Sequence, residues 1–217
     1  SHSSPPQPAP LPLRSIYRPS PFEEHPFHWL EAGQSQDVVV FLHGIMAHSM
    51  AFRRVLLDSA RNYRVIVPDL PGHGHDETFL SSQIPPTLDG LLLWLEALLD
   101  TLGHSRIHLV GHSLGATLAY LAALDSSRFS TIESLTLVSP GLQLRIPRWT
   151  SPLVEKIPAR LASLGATRAG VRLYEPIQWR RARMTDREMD DYLLPIRQPR
   201  RIRHMLGLGA DIVKKAI

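Results

Sequence analysis

Cysteine is absent from all 217 residues. That excludes disulfides, a thiol nucleophile and any metal site built on thiolates, and it leaves the compartment open. No apolar run reaches the roughly 18 residues needed to cross a bilayer, so no membrane span is expected. The opening residues, Ser1-His2-Ser3-Ser4, form neither a basic segment nor an apolar one. No signal peptide is visible there, and a cytoplasmic location is the expectation. Lysine is scarce, with three residues at 156, 214 and 215. Aromatic residues make up only 7% of the chain.

What is present suits a globular domain. The chain is 43% hydrophobic, enough for a substantial core, and its length fits one domain or a domain with a lid. Its net charge of +4 is unevenly spread. Residues 1–144 hold 8 Lys/Arg against 13 Asp/Glu, whereas residues 145–217 hold 16 against 7. A basic segment invites a nucleic-acid reading. No nucleic-acid motif accompanies it and no aromatics are interleaved with the charges. The expectation is a solvated, Arg-rich helical face and no nucleic-acid partner.

Three regions follow. Residues 1–21 carry seven prolines and read as an extended arm. Residues 22–144 read as a sheet-and-helix core. His28 to Ala32 is a short strand. Val38 to Leu42 is a β-branched and aromatic run suited to a strand buried on both faces. Val65 to Val67, Ile107 to Val110 and Leu135 to Val138 are three more. Leu88, Leu91, Leu92, Leu95, Leu98, Leu99 and Leu102 recur at helical spacing, ended by Gly103. Ala116 to Leu124 is apolar all round and reads as a buried helix, and Met50 to Asn62 is a third helix candidate. Strands alternating with helices imply a mostly parallel sheet with helices on both faces, an α/β fold. Residues 145–217 show helical stretches and no strand pattern, as expected of a helical lid.

The chemistry concentrates at Gly111-His112-Ser113-Leu114-Gly115. An apolar strand runs into this Gly-x-Ser-x-Gly, and an Ala-rich helix follows. A serine on a tight strand-to-helix turn has its hydroxyl forced out at the end of the sheet. The flanking elbow glycines, Gly111 and Gly115, supply the room. The N–H of Leu114 then faces the place where an oxyanion would form. Ligands in such sheets bind beyond the carboxyl ends of the strands. The other strands also end in unusual loops there: His43-Gly44-Ile45, Pro68-Asp69-Leu70-Pro71-Gly72-His73-Gly74 and Ser139-Pro140-Gly141.

His-Gly at 43–44, Asp-x-Pro-Gly-His-Gly at 69–74 and Gly-His-Ser-Leu-Gly at 111–115 occur in this order over roughly residues 27–145. On these motifs the chain resembles the α/β-hydrolase fold family, in particular its cap-bearing serine hydrolases (esterases, lipases and C–C bond hydrolases). The resemblance implies Ser113 as nucleophile and an oxyanion hole from the backbone N–H groups of Ile45 and Leu114. It implies loop support from His43, Gly44 and Asp69. An elbow serine sets aside dehalogenase or epoxide hydrolase chemistry, where the family places an aspartate. The implied activity is cleavage of a small-molecule ester, thioester or lactone through an acyl-serine, without cofactor. Two readings remain open beside it: an acyltransferase using the same intermediate, and a non-catalytic ligand-binding relative.

Other candidates weigh less. His112 is adjacent to Ser113 but should point away from its hydroxyl. His48 could line a pocket mouth or begin a surface helix. His73-Gly74-His75-Asp76-Glu77 is a poor match to a dinuclear metal motif, and no metal is expected. Trp149, Tyr174 and Trp179 are expected to pack within the lid.

A triad also needs a base and an acid. The resemblance places both after the lid, on strands that this pattern lacks. His204 is the only histidine after Ser113 and sits in a helical stretch. Residues 210–217 run on as a helix with no capping glycine or proline. The expectation is therefore the first two-thirds of a capped hydrolase. A second polypeptide, or a further C-terminal part, would supply the Asp or Glu and the His.

Overall fold

The structure, a computed structural model, describes residues 12–103, 106–141, 148–158 and 197–215, with 167, 185–186, 189–190 and 193 between them. Six strands form one sheet: β1 (Arg14–Arg18), β2 (Phe27–Ala32), β3 (Asp37–Leu42), β4 (Arg64–Pro68), β5 (Arg106–His112) and β6 (Ile132–Val138). Their spatial order is β1-β2-β4-β3-β5-β6. The last four are parallel neighbours, while β2 runs antiparallel to both β1 and β4. This is the α/β-hydrolase arrangement, a mixed sheet with helices.

β3 shows how the sequence builds its layers. Val38, Val40 and Leu42 face one side and join Ile107, Leu109 and the helices α2 (Leu88–Asp100) and α3 (Leu114–Leu124). Val39 and Phe41 face the other and join Leu56 of α1 (Arg53–Ser59). Strands covered on both faces need apolar residues at every position, hence the unbroken run 38–42. Thr87 caps α2, its hydroxyl accepting from the Gly90 N–H at 3.1 Å. The third helix candidate is shorter than Met50 to Asn62: a 3₁₀ turn at Ser49–Phe52 precedes α1.

Strand β1 lies inside the Pro-rich stretch, where the sequence shows no strand pattern. It is an exposed edge, held by pairing Arg14 to Glu31 through Arg18 to Phe27. Glu31 fastens it, accepting from Arg14 at 3.2 Å, from Arg64 of β4 at 3.0 Å and from the Trp29 indole at 3.1 Å. Burial raises the pKa of this carboxyl, but those donors and the arginine charges outweigh it and lower the pKa.

Two described helices follow β6: α4 (Ser151–Glu155) and α5 (Pro199–Lys215). The Ser151 hydroxyl donates to the Ala210 carbonyl at 2.9 Å, and Leu208 of α5 enters the main core. Asp211 of α5 accepts from the Leu88 N–H at 2.8 Å, supplying a carboxylate to the first turn of α2. Most of the segment between α4 and α5, including Tyr174 and Trp179, lies outside the described residues. Trp149 is not packed as expected: it is 71% exposed. No described helix is long and apolar enough to cross a membrane.

Candidate active site at the end of strand β5

Ser113 is the hinge between β5 and α3. Its backbone sits at φ 53°, ψ −114°, a region non-glycine residues avoid. Such strain persists only where the surroundings over-determine it, and it gathers at functional sites. Here the surroundings are explicit. The Ser113 N–H donates to the Val138 carbonyl at 3.0 Å, tying the turn to β6. A methyl group on Gly111 would lie 2.4 Å from the Gly115 carbonyl oxygen. One on Gly115 would lie 2.0 Å from the Leu42 carbonyl oxygen. Both glycines are therefore set by close backbone approach, and the second brings the start of α3 against the end of β3.

That approach joins the first two motifs. A methyl group on Gly44 would sit 3.2 Å from Ser113 Cβ and 3.3 Å from His112 Nδ1. The 43–47 loop thus abuts the elbow, turning through Met46 at φ 62° with the Ala47 N–H donating to the Gly44 carbonyl at 3.1 Å. The N–H groups that open α3, Leu114 first, have no acceptor within the helix. Ile45, within this loop, is partly buried and Leu114 is buried in the core. Ser113 is half-buried and His112 exposed. Among the described residues the Ser113 hydroxyl has no hydrogen-bond partner.

Beneath the loop, His43 is fully buried with both ring nitrogens engaged. Nδ1 donates to the Gly44 carbonyl at 2.8 Å, and Nε2 accepts from the Leu70 N–H at 3.0 Å. That pattern needs the neutral ring. Burial, reinforced by nearby His73, pulls its pKa down to about 3. His43 is thus a strut between the loops that end β3 and β4.

Asp69 is a second strut. Its carboxylate accepts from the Ser49 N–H at 2.7 Å, the His75 N–H at 2.9 Å and His28 Nδ1 at 2.7 Å. Burial pushes its pKa up, but the His28 bond, the His43 ring and the His75 N–H prevail and hold it well below the usual carboxylate range. Gly74 at φ 48° is required beside it: an added methyl would overlap the Asp69 carboxyl at 2.1 Å. His48 is buried and caps the 3₁₀ turn, its Nδ1 accepting from the Met50 N–H at 3.4 Å.

The sequence did not reveal a buried polar layer formed by α5. Arg201 is only 4% exposed, which corrects the expectation of a solvated arginine face at this position. Its Nη1 donates to the Asp76 carbonyl at 2.7 Å and to the His73 carbonyl at 3.2 Å. The guanidinium lies 5.1 Å over the Phe79 ring. His204, one turn on, meets Phe79 edge-to-face and closes against Gly72. It therefore sits on the loop after β4. Burial lowers the pKa of His73 and of His204 to about 4 each. Burial raises Asp76 to about 8, against the opposing bonds from Thr78. A residue at every third or fourth position (201, 204, 205, 208) is the signal that could have marked this face. No three described His, Asp or Glu side chains gather as a metal-ligand set.

Comparison with known proteins agrees with this architecture. The model of the alpha/beta hydrolase family matches residues 39–213. Epoxide hydrolase 4 of Mus musculus is 32% identical over 99 residues, covering 45% of this chain and 27% of that protein. The magnesium-chelatase 30 kDa subunit of Rhodobacter capsulatus is 32% identical over 143 residues, covering 59% of this chain and 49% of that protein. The chain thus spans half or less of the length of these curated relatives. Among solved structures, naproxen esterase from Bacillus subtilis superposes with a TM-score of 0.67 at 18% identity, over 86% of this chain and 62% of that one. At that identity the likeness concerns the fold alone.

Proposed function

The chain belongs to the alpha/beta hydrolase family, and we propose that it carries the nucleophile and oxyanion hole of a serine hydrolase acting on esters, thioesters or lactones. The observation that carries this reading is the Ser113 backbone at φ 53°, ψ −114°, between β5 and α3. Ser113 Oγ attacks the acyl carbon. The N–H groups of Leu114 and Ile45 hold the developing oxyanion, each worth about 3 kcal/mol. The acyl-serine then yields to water. His43, Gly44 and Asp69 keep the Ile45 loop in place.

The serine also separates this reading from the chemistry in one relative's name. Attack of a serine alkoxide on an epoxide would leave an ether, with no carbonyl for water to attack. An ester or thioester substrate returns the serine free.

The base and the acid come from another segment, either a second polypeptide or further chain, which adds strands beyond β6. Two observations support this. The Ser113 hydroxyl has no partner among the described residues, and β6 leaves Leu137 and Val138 exposed at 37% and 45%. An apolar parallel edge is a template for pairing. Residues 145–217 form the lid, whose basic character favours anionic or partly anionic substrates. The 217-residue chain alone should be inactive toward a nitrophenyl ester and should self-associate. A monomeric lone chain that turns over ester through Ser113 would overturn the shared site.

A further inference from the structure

A second serine, at the opposite side of the sheet, has the surroundings of a nucleophile. Ser15 lies on edge strand β1, opposite Leu30, and Tyr17 lies opposite His28. Ser15 and His28 are therefore diagonal neighbours on one face. Their side chains meet: Ser15 Oγ is 2.8 Å from His28 Nε2. On its far side, His28 Nδ1 is 2.7 Å from Asp69 Oδ2. Ser15 is exposed, while His28 and Asp69 are 1% and 0% exposed.

The proton positions follow from the chemistry. The Asp69 carboxylate can only accept, so His28 Nδ1 carries the hydrogen it donates. Nε2 then offers a lone pair to the Ser15 hydroxyl. The ring cannot turn away. Tyr17 and His75 pack on it at 4.8 and 4.9 Å between ring centroids. The Asp69 N–H, donating to the His28 carbonyl at 3.0 Å, fixes the two backbones together. Tyr17 and His75 also line a cleft of about 280 Å³, with Glu77 and Arg201 among its other walls. Ser15 itself is exposed, so an acyl donor reaches its hydroxyl from solvent.

We propose that Ser15, His28 and Asp69 form a second reactive centre, at which Ser15 is acylated by activated carboxylic esters independently of Ser113. Ser15 Oγ forms the new bond to the acyl carbon, and the bond from that carbon to the leaving oxygen breaks. The Ser15 proton passes to His28 Nε2 and from there to the departing alkoxide or aryloxide. Asp69 is a positioning residue that holds the ring's orientation, aims Nε2 at Ser15 and stabilises the imidazolium formed during the transfer. The product is an ester on Ser15 and a free alcohol or phenol.

The test uses the full chain carrying Ser113→Ala, treated with p-nitrophenyl acetate and mapped by tandem mass spectrometry. Exposed Ser126 and Ser130, on the turn and loop after α3, serve as controls within the same molecule. Ser15 should acquire the acetyl group roughly a hundredfold faster than either control, the scale of base assistance. His28→Asn should bring it down to their level. Acetylation of Ser15 no faster than of Ser126 and Ser130 overturns the proposal, as does a rate that His28→Asn leaves unchanged in a folded protein. If His28→Asn fails to fold, the internal comparison decides alone. Because Ser113 is absent throughout, the result is independent of its role.

Discussion

The two sides of the sheet are built on opposite terms. On the β1-β2-β4 side, buried polar groups knit strands and loops together, while His73 Nε2, Asp76 Oδ2 and His204 Nε2 have no hydrogen-bond partner among the described residues. Glu31 binds three donors across three strands, Asp69 accepts from three partners, and Arg201 spans two carbonyls from the far helix. The edge strand there is short and carries two arginines, which suit it to water. On the β5-β6 side, a strained serine stands above glycines set by contact, and the last strand is exposed at most positions. One side is tied shut. The other holds reactive geometry beside an edge that invites more strand. The lesson is that the loop after β4, on the tied side, braces the loop after β3, and that loop abuts the strained serine.

Four tests bear on this contrast. The largest effect belongs to the strained side. Ser113→Ala in the complete assembly should lower ester turnover by roughly 10⁴-fold or more, the scale of nucleophile removal in serine hydrolases. Near-parent turnover, measured by steady-state kinetics, would remove the functional half of the contrast. Gly115→Ala comes next, since the added methyl meets backbone at 2.0 Å. Chemical denaturation should show a loss of about 3 kcal/mol. A neutral result would mean that the β3–α3 approach is not tight.

On the tied side, two arginines of one helix give a paired test. Arg201→Ala orphans two carbonyls and should cost about 2–4 kcal/mol. Exposed Arg203→Ala should stay within about 0.5 kcal/mol. Equal costs would mean that the buried layer does not stabilise the fold.

A further test is in pH. His43, His73 and His204 hold pKa values of about 3 to 4, below their unfolded value of about 6.5. Their contribution is present above that value and drains away as pH falls toward 3. Asp76, raised to about 8, behaves oppositely: its contribution fades as pH rises from about 4 through 8. Between pH 4 and 6.5 the three histidines outweigh it, and above 6.5 only the decline remains. Denaturation midpoints should therefore peak near pH 6.5, and Asp76→Asn should flatten the alkaline limb. A parent midpoint still rising at pH 8 would contradict the buried, neutral Asp76.

Legibility in the sequence followed the same division. β3 and β4 were readable because a strand covered on both faces must be apolar throughout, and β5 because Ile107, Leu109 and Val110 surround the polar His108. The elbow was readable because a serine in that turn needs its two glycines. β1 was not, because Arg14, Ser15, Tyr17 and Arg18 face water and show no apolar alternation. The burial of Arg201 was hidden too. A charge run has no local mark separating the arginine that faces carbonyls from those that face solvent. His28 drew no notice because its partners, Ser15 and Asp69, are 13 and 41 residues away. The base for Ser113 was not legible because no histidine after it follows a strand.

Covalent labelling tests the Ser113 nucleophile most directly. The protein, with any segment that co-purifies, is treated briefly with a fluorophosphonate and digested, and adducts are mapped by tandem mass spectrometry. An adduct on Ser113 should form first and fastest, with slower modification confined to Ser15. Ser113 unmodified while other serines react, or modified no faster than Ser126 and Ser130, would contradict that assignment.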